Sequence, residues 1–299
     1  MNRALQVLAV SGLVTVQDHG RRGYASMGIG VSGAVDLGSH DRANRLVGNA
    51  AHAATLELTF GTIRVLATTP AWIAVTGAPA PVTAAGRRHP INSRFGLRAG
   101  EILDVGVAKS GLRTYVAVRG GIGTPPVLGS RSTDTLAGLG PEPVASRTQL
   151  PIGSDYDDFP EIDFIATRSI PSDDVLRLRA TLGPRDDWFA PSAVTLLDAA
   201  TWTVTPSSNR IGVRLDGPAL ERRVTQELPS EGVTVGAVQV TPAGPIVFLD
   251  DHPVTGGYPV IGVVDRASVD GLAQARAGQR VHFDLVPLTA PHRPSNRKD

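Results

Sequence analysis

Leu58-Thr59-Phe60-Gly61-Thr62-Ile63-Arg64-Val65 and Val233-Thr234-Val235-Gly236-Ala237-Val238-Gln239-Val240 read as two versions of one phrase. Each is an apolar, β-branched run with a glycine at its fourth position. The same offset sets Pro70 on Pro245 and Trp72-Ile73 on Val247-Phe248, and a slightly larger one sets Arg98-Ala99-Gly100-Glu101 on Arg276-Ala277-Gly278-Gln279. A shared order at a near-constant spacing points to duplicated architecture. Residues 58–105 and 233–283 are therefore expected to superpose as equivalent strands of two barrels, whose junction would form a cleft of the kind that holds ligands.

Outward from these phrases the chain keeps the same texture. Arg64-Leu66, Trp72-Thr76, Ile102-Val107, Thr114-Arg119, Thr201-Thr205, Ile246-Leu249 and Arg280-Val286 are short runs rich in β-formers. Most are bounded by Gly or Pro, the strand signature. The chain contains 33 Gly and 23 Pro among 299 residues, a usage suited to short strands and tight turns. Helical signals are few. Asp36 to Val47 has an N-cap in Asp36 and a stop in Gly48, and Ser268 to Ala277 is halted by Gly278. The fold class expected is mainly β, two tandem β-barrel domains with a few short helices. Residues 1–150 would form the first barrel, 151–175 an acidic, turn-rich connector, 176–290 the second barrel and 291–299 a disordered tail.

Net charge is +1, with both signs interspersed among 19% charged residues, which gives no footprint for nucleic acid or an anionic membrane surface. Cysteine is absent, so disulfide and thiolate chemistry are excluded. Ala4 to Val16 is interrupted by Gln6 and Ser11 and reads as a buried strand rather than a signal peptide. A cytoplasmic location is expected. The only lysines are Lys109 and Lys298, neither in a Walker A loop, and there is no Met-Lys pair to accept biotin. The seven histidines never take zinc-ligand spacing, and with no cysteine a tight zinc-type metal site is not expected. Gly28-Ile29-Gly30-Val31-Ser32-Gly33 matches a dinucleotide fingerprint formally, but no βαβ unit surrounds it.

Three segments carry chemistry. In the first, Gln17-Asp18-His19-Gly20-Arg21-Arg22-Gly23-Tyr24, glycines and guanidinium groups suit close approach to an anion, although an Asp18–Arg21 pair would equally brace a loop. In the second, Ser208-Asn209-Arg210-Ile211-Gly212-Val213-Arg214-Leu215, a strand would put Arg210 and Arg214 on one face, for a carboxylate or phosphate or simply for solvent. In the third, Asp250-Asp251-His252-Pro253-Val254-Thr255-Gly256-Gly257-Tyr258-Pro259, acids follow directly on an apolar strand, as in a strand-end site or a hairpin turn.

The same segments carry a resemblance. Gln17-Asp18-x-Gly20-Arg21-x-Gly23, Gly33-Ala34-x-Asp36, Ala43-Asn44-x-Leu46-Val47-Gly48-Asn49 and Leu56-Glu57 resemble the opening of the biotin-dependent carboxyltransferase family (KipA-like). Asn209-Arg210-x-Gly212-x-Arg214-Leu215-x-Gly217, Ser230-Glu231-Gly232, Gly236, Gln239 and Thr255-Gly256-Gly257-Tyr258-Pro259 are similar to its second half. The family more often shows Gln-Thr-Thr before Gly-Gly-Tyr, where this chain has Pro253-Val254-Thr255. The family takes in the C-type subunits of 5-oxoprolinase, the carboxyltransferase part of urea carboxylase, KipA, and members labelled allophanate hydrolase subunit 2.

The resemblance implies cyclophilin-like barrels, a KipI-like partner subunit and an amide substrate. The leading expectation is the C-type subunit of an ATP-dependent 5-oxoprolinase-like complex, active only with its partner, with ATP and Mg²⁺ used at the level of the complex. The alternatives are carboxyl transfer from biotin to urea or a related amide, and a non-catalytic regulator of a kinase. Asp18, Asp36 and Asp251 are the expected acid/base or Mg²⁺ groups. Gln17, Arg21, Asn209, Arg210, Arg214, Gln239, Thr255, Gly256, Gly257 and Tyr258 are the expected substrate-binding residues. Asp18, Arg21, Asn209, Arg210, Asp251 and Tyr258 are expected to line one groove, with Arg210 countering the acids.

Overall fold

The computed structural model describes residues 3–166 and 175–287. Part of the expected connector and the whole expected tail lie outside these residues. The first half comprises β1 (Ala4–Gln17), α1 (Leu37–Leu46), β2 (Thr55–Ala67), β3 (Ala71–Gly77), β4 (Val82–Ala84), β5 (Arg87–His89), β6 (Arg94–Leu97), β7 (Ile102–Val105), β8 (Arg113–Val118) and β9 (Gln149–Pro151). The second comprises β10 (Leu176–Leu182), α2 (Pro191–Ala199), β11 (Thr201–Val204), β12 (Gly212–Asp216), β13 (Glu231–Gly232), β14 (Ala237–Thr241), β15 (Gly244–Phe248), β16 (Thr255–Gly256), β17 (Val260–Val264), α3 (Arg266–Leu272) and β18 (Arg280–Leu285).

Two barrel-like sheets result, as the residue patterns predict. The first has strand order β5-β4-β7-β2-β8-β3-β6, with β1 laid along β2 and β9 on β1. It curls because β2 is long and shared: Leu56–Thr59 pairs with β8 and Ile63–Leu66 with β7. The second is closed, in the order β10-β17-β14-β15-β12-β11-β18, with a parallel β10–β18 pair completing the ring. Alternate residues of each strand point inward, so each barrel fills with its own apolar cluster, Leu5, Leu56, Ile73 and Val116 in one and Trp202, Phe283, Val247 and Ile261 in the other.

The proposed strand equivalence fails. β2 pairs with β1, β7 and β8, whereas β14 pairs with β15 and β17. β14 and β15 are neighbours; β2 and β3 are separated by β8. The two matched glycines also serve different ends. Gly236 turns the chain at φ 82°, whereas Gly61 lies within β2, where a Cβ would come 2.7 Å from Ser11 O. Gly61 answers a bulge in β1, at which Gly12 has φ 70° and its own Cβ would lie 2.7 Å from Gly61 Cα. Gly12→Ala combines a left-handed backbone with this clash and is expected to cost about 1–3 kcal/mol, read from urea unfolding.

Helix α1 follows its predicted signals. Asp36 caps it, accepting from Ser39 N at 2.9 Å, and Gly48 leaves it at φ 70°. Helix α3 is a correction: it starts at Arg266 with Asp265 as its cap and ends at Leu272, earlier at both ends than Ser268–Ala277.

The halves meet along a polar seam. Val35, from the loop between β1 and α1, is fully buried among the apolar residues of the second barrel. Gln274 fills a gap between barrels: its Oε1 accepts from Leu112 N and Arg113 N, and its Nε2 donates to Asp36 and Arg113 O. Asp270 accepts from Leu37 N and Gly38 N at the head of α1. No helix of the described residues is long and apolar enough to cross a membrane.

Candidate functional site

Two adjoining cavities open at this seam. The first, 420 Å³, lies between the β1–α1 loop (Asp18, Arg21, Arg22, Ser32) and second-barrel residues that include Asp250, Val254 and Arg266. The second, 560 Å³, is bounded by Asp134, Leu136, Pro253 and Thr255, and shares His252 with the first. The junction expected from two packed barrels thus carries both cavities.

The acids expected to do chemistry are committed to the scaffold. Asp18 Oδ1 accepts from Gly20 N (2.8 Å), Ser130 Oγ (2.6 Å) and Ser132 Oγ (2.6 Å), and Oδ2 accepts from Arg131 N (2.6 Å). Burial raises this carboxyl, but these four donors outweigh it and hold the group below its ordinary value. Asp36 is the cap of α1 and also takes Ser39 Oγ (2.6 Å) and Gln274 Nε2 (2.6 Å). Asp251 accepts from Ser32 Oγ (2.7 Å), from Thr135 N and Oγ1 (3.0 and 2.6 Å), and from Arg210 Nε and Nη2 (2.9 and 3.0 Å). Its burial is outweighed by the Arg210 charge and these bonds, and its carboxyl too lies low.

Arg210 is buried and saturated. Besides Asp251 it donates to Gly33 O (2.7 Å) and to Glu57 of the first barrel. Glu57 in turn accepts from Tyr115 Oη (2.7 Å) and Val35 N (3.2 Å), with Arg113 Nε 3.5 Å away. Burial alone would raise Glu57, but Arg210 and Arg113 together pull its carboxyl down. Arg210 therefore ties the two barrels together and presents no guanidinium face to a cavity. Arg214 does not share its side. Arg210 precedes β12, in a turn that Asn209 Oδ1 shapes by accepting from Ile211 N (2.8 Å) and Gly212 N (3.3 Å), so strand alternation does not extend to it. Arg214 is exposed on β12.

The common groove is corrected accordingly. Of its six expected residues, Asp18 and Arg21 line the first cavity and Asn209, Arg210, Asp251 and Tyr258 do not. Arg21 is buried, donating to Ser132 O and lying 3.4 Å from Asp134. Gln17 is buried at the end of β1, donating to Thr15 Oγ1 (3.0 Å) and Thr133 O (2.9 Å). Gln239 donates to Tyr258 O (2.9 Å), holding the segment Thr255-Gly256-Gly257-Tyr258 against the barrel. Of that segment, Thr255 reaches the second cavity and the Tyr258 ring is exposed.

Asp250 is the titratable group that sequence reasoning passed over. It lines the first cavity, where Arg266 Nη1 donates to both of its oxygens (2.9 and 3.0 Å). Arg266 Nη2 also donates to Val35 O (2.8 Å), so its orientation is fixed. Burial raises the Asp250 carboxyl to about 7 in spite of the facing guanidinium. The pair Asp250-Asp251 was visible in the sequence. In the turn that follows β15 the two side chains part, Asp251 to Arg210 and Asp250 to Arg266 on the cavity wall.

Neither Mg²⁺ nor ATP fits the residues present well. Among the described residues, the His19, His40 and Asp41 trio could gather round a metal. However, both His40 nitrogens are already engaged, Nδ1 with Thr55 Oγ1 (2.9 Å) and Nε2 with Ala51 O (3.0 Å), and Mg²⁺ favours an oxygen cage. For a nucleotide triphosphate the first cavity offers three arginines, of which Arg21 and Arg266 are already paired. Among the described residues of this lining, Arg22 is the arginine left without a partner.

Comparison with known proteins bears on the family of this chain. Residues 27–285 match the family model described as carboxyltransferase domain, subdomain A and B. The chain is 36% identical to the C-type subunit of 5-oxoprolinase from Escherichia coli (strain K12) over 93% of its own length and 90% of that protein. It is 30% identical to urea amidolyase of Lachancea kluyveri over 96% of its length, covering 17% of that larger protein. The crystal structure of the Kluyveromyces lactis urea amidolyase superposes with a TM-score of 0.87 at 29% identity, over 97% of this chain and 19% of that one. The chain belongs to the carboxyltransferase domain family, with both of its subdomains, A and B.

Proposed function

We propose that this chain is the C-type subunit of a 5-oxoprolinase-like complex and that the first cavity holds the amide substrate. The observation that carries this reading is the extent of the match: the likeness to the Escherichia coli 5-oxoprolinase protein runs nearly end to end in both chains, with no large part of either left over. The arrangement at Asp250 suits the task. Activating a lactam through its oxygen requires loss of the N–H proton, and a carboxyl near neutrality on the cavity wall can accept it. Arg266 keeps that carboxylate aimed and balances its charge once the proton has gone.

ATP would supply the phosphoryl group that activates the lactam oxygen. Its phosphates are assigned to a KipI-like partner subunit, because this cavity has too few uncommitted cations to hold them. No step is assigned to Mg²⁺ on this chain. Purified with its partner, the chain should support ATP hydrolysis that depends on 5-oxoproline, while the chain alone should show negligible ATP turnover. Urea amidolyase relatives favour a second reading, carboxyl transfer to urea or a related amide. A complex inert toward 5-oxoproline that instead consumes carboxybiotin with urea would establish that alternative and sink the first.

A further inference from the structure

Three arginines face the first cavity, and two of them are spoken for. Arg21 is buried on Ser132 and Asp134, and Arg266 donates from Nη1 to both oxygens of Asp250. Arg22 is exposed, lines the cavity, and has no hydrogen bond or ion pair among the described residues. The acids that might have neutralised it are occupied: Asp18 by four donors, Asp250 by Arg266.

The loop that carries Arg22 is closely constrained. It sits between Gly20 and Gly23, at φ 78° and 96°. A Cβ at Gly20 would run into the carbonyls of Val31 and Ser32, so the two limbs of the loop can close only on glycine there. Arg21 N donates to Val31 O (2.8 Å), and the Arg21 side chain plunges inward as an anchor. Arg22, the next residue of this constrained loop, lines the cavity beside it.

We infer that Arg22 is the anion-recognising residue of this site and that its ligand is the carboxylate of a small amide-bearing acid. A guanidinium fork matches a carboxylate in two parallel hydrogen bonds, and one uncompensated cation beside one titratable acid suits a monoanion with a neutral amide. This deepens the proposed function, on which it rests for the identity of the amide. 5-Oxoproline carries such a carboxylate; urea and 2-pyrrolidinone do not.

The test is direct binding, so that it does not depend on turnover. Titration calorimetry on the chain assembled with its partner would compare 5-oxoproline with 2-pyrrolidinone, the same lactam without the carboxylate. A charge-assisted hydrogen-bonded pair should favour 5-oxoproline by about 10- to 100-fold in Kd. Arg22→Gln should reduce that preference to near one, and Arg22→Lys should restore part of it. A preference that is unchanged in Arg22→Gln, or a wild-type complex that binds both lactams equally or neither, overturns the inference. Failure of the functional reading looks different: ATP turnover stays absent while 5-oxoproline still binds through Arg22.

Discussion

Arg210→Met is expected to destabilise the folded chain by about 3–5 kcal/mol, because it leaves buried Asp251 without its cation and buried Glu57 with Arg113 alone. Glu57 and Asp251 lie on different barrels, 153 and 41 residues from Arg210, and each is fully or almost fully buried. In the wild type their carboxyls sit below the ordinary range, so the stability they contribute is complete above an unfolded carboxyl's pKa and is lost as the pH falls through their lower folded values. In Arg210→Met that contribution disappears. The gap between variant and wild type should thus be widest at neutral pH and narrow below about pH 4, where the orphaned acids protonate. Urea unfolding at several pH values measures this. The double variant Arg210→Met/Glu57→Gln should recover part of the loss, since one of the stranded charges is removed with its partner. An Arg210→Met chain as stable as wild type at pH 7 would mean that the seam is not held by this pair.

Much of the architecture could be read from the chain because it depends on local pattern. β-Branched runs stopped by Gly or Pro are strands for reasons of backbone sterics, and Asp36 with Gly48 marks α1 for reasons of capping. The duplicated phrase was right about two barrels and wrong about which strands correspond. Glycine at the fourth position looked like one signal, but Gly61 makes room for a neighbouring strand and Gly236 supplies a left-handed turn. The site was harder to read for a different reason. Asp18, Arg21, Arg210 and Asp251 are distinctive residues in distinctive surroundings, yet each is consumed by a partner more than 40 residues away, such as Ser130, Asp134 or Glu57. Nothing in a one-dimensional pattern separates an arginine that holds a ligand from one that holds the fold. Arg22 and Asp250, each beside a more conspicuous twin, also line the cavity and drew no attention in the pattern.

Asp250→Asn should lower turnover of the reconstituted complex by about 10²- to 10⁴-fold, the range expected when a positioned proton acceptor is removed. The amide keeps the size and can still accept from Arg266, so binding of 5-oxoproline should change far less than kcat. In the wild type the acid limb of the pH–rate profile should lie near 7, where Asp250 loses its proton, and rate should rise with pH through it. Stability gives a second, independent reading of the same group. Its folded value is raised, the reverse of the usual aspartate, so between about pH 4 and 7 the native state holds a proton that the unfolded chain has released. Wild-type stability should therefore fall as pH rises across that window, by an amount on the order of a few kcal/mol. Asp270, raised to about 6 by burial and by Asp36, adds a smaller slope of the same sign that remains in the variant. Asp250→Asn should flatten the larger slope and so gain on the wild type from pH 5 to pH 8. A variant with full activity would remove Asp250 from the chemistry. A variant that loses activity but keeps the wild-type pH slope of stability would show instead that Asp250 is already ionised on Arg266 throughout the window, acting as an anchor and not as a proton acceptor.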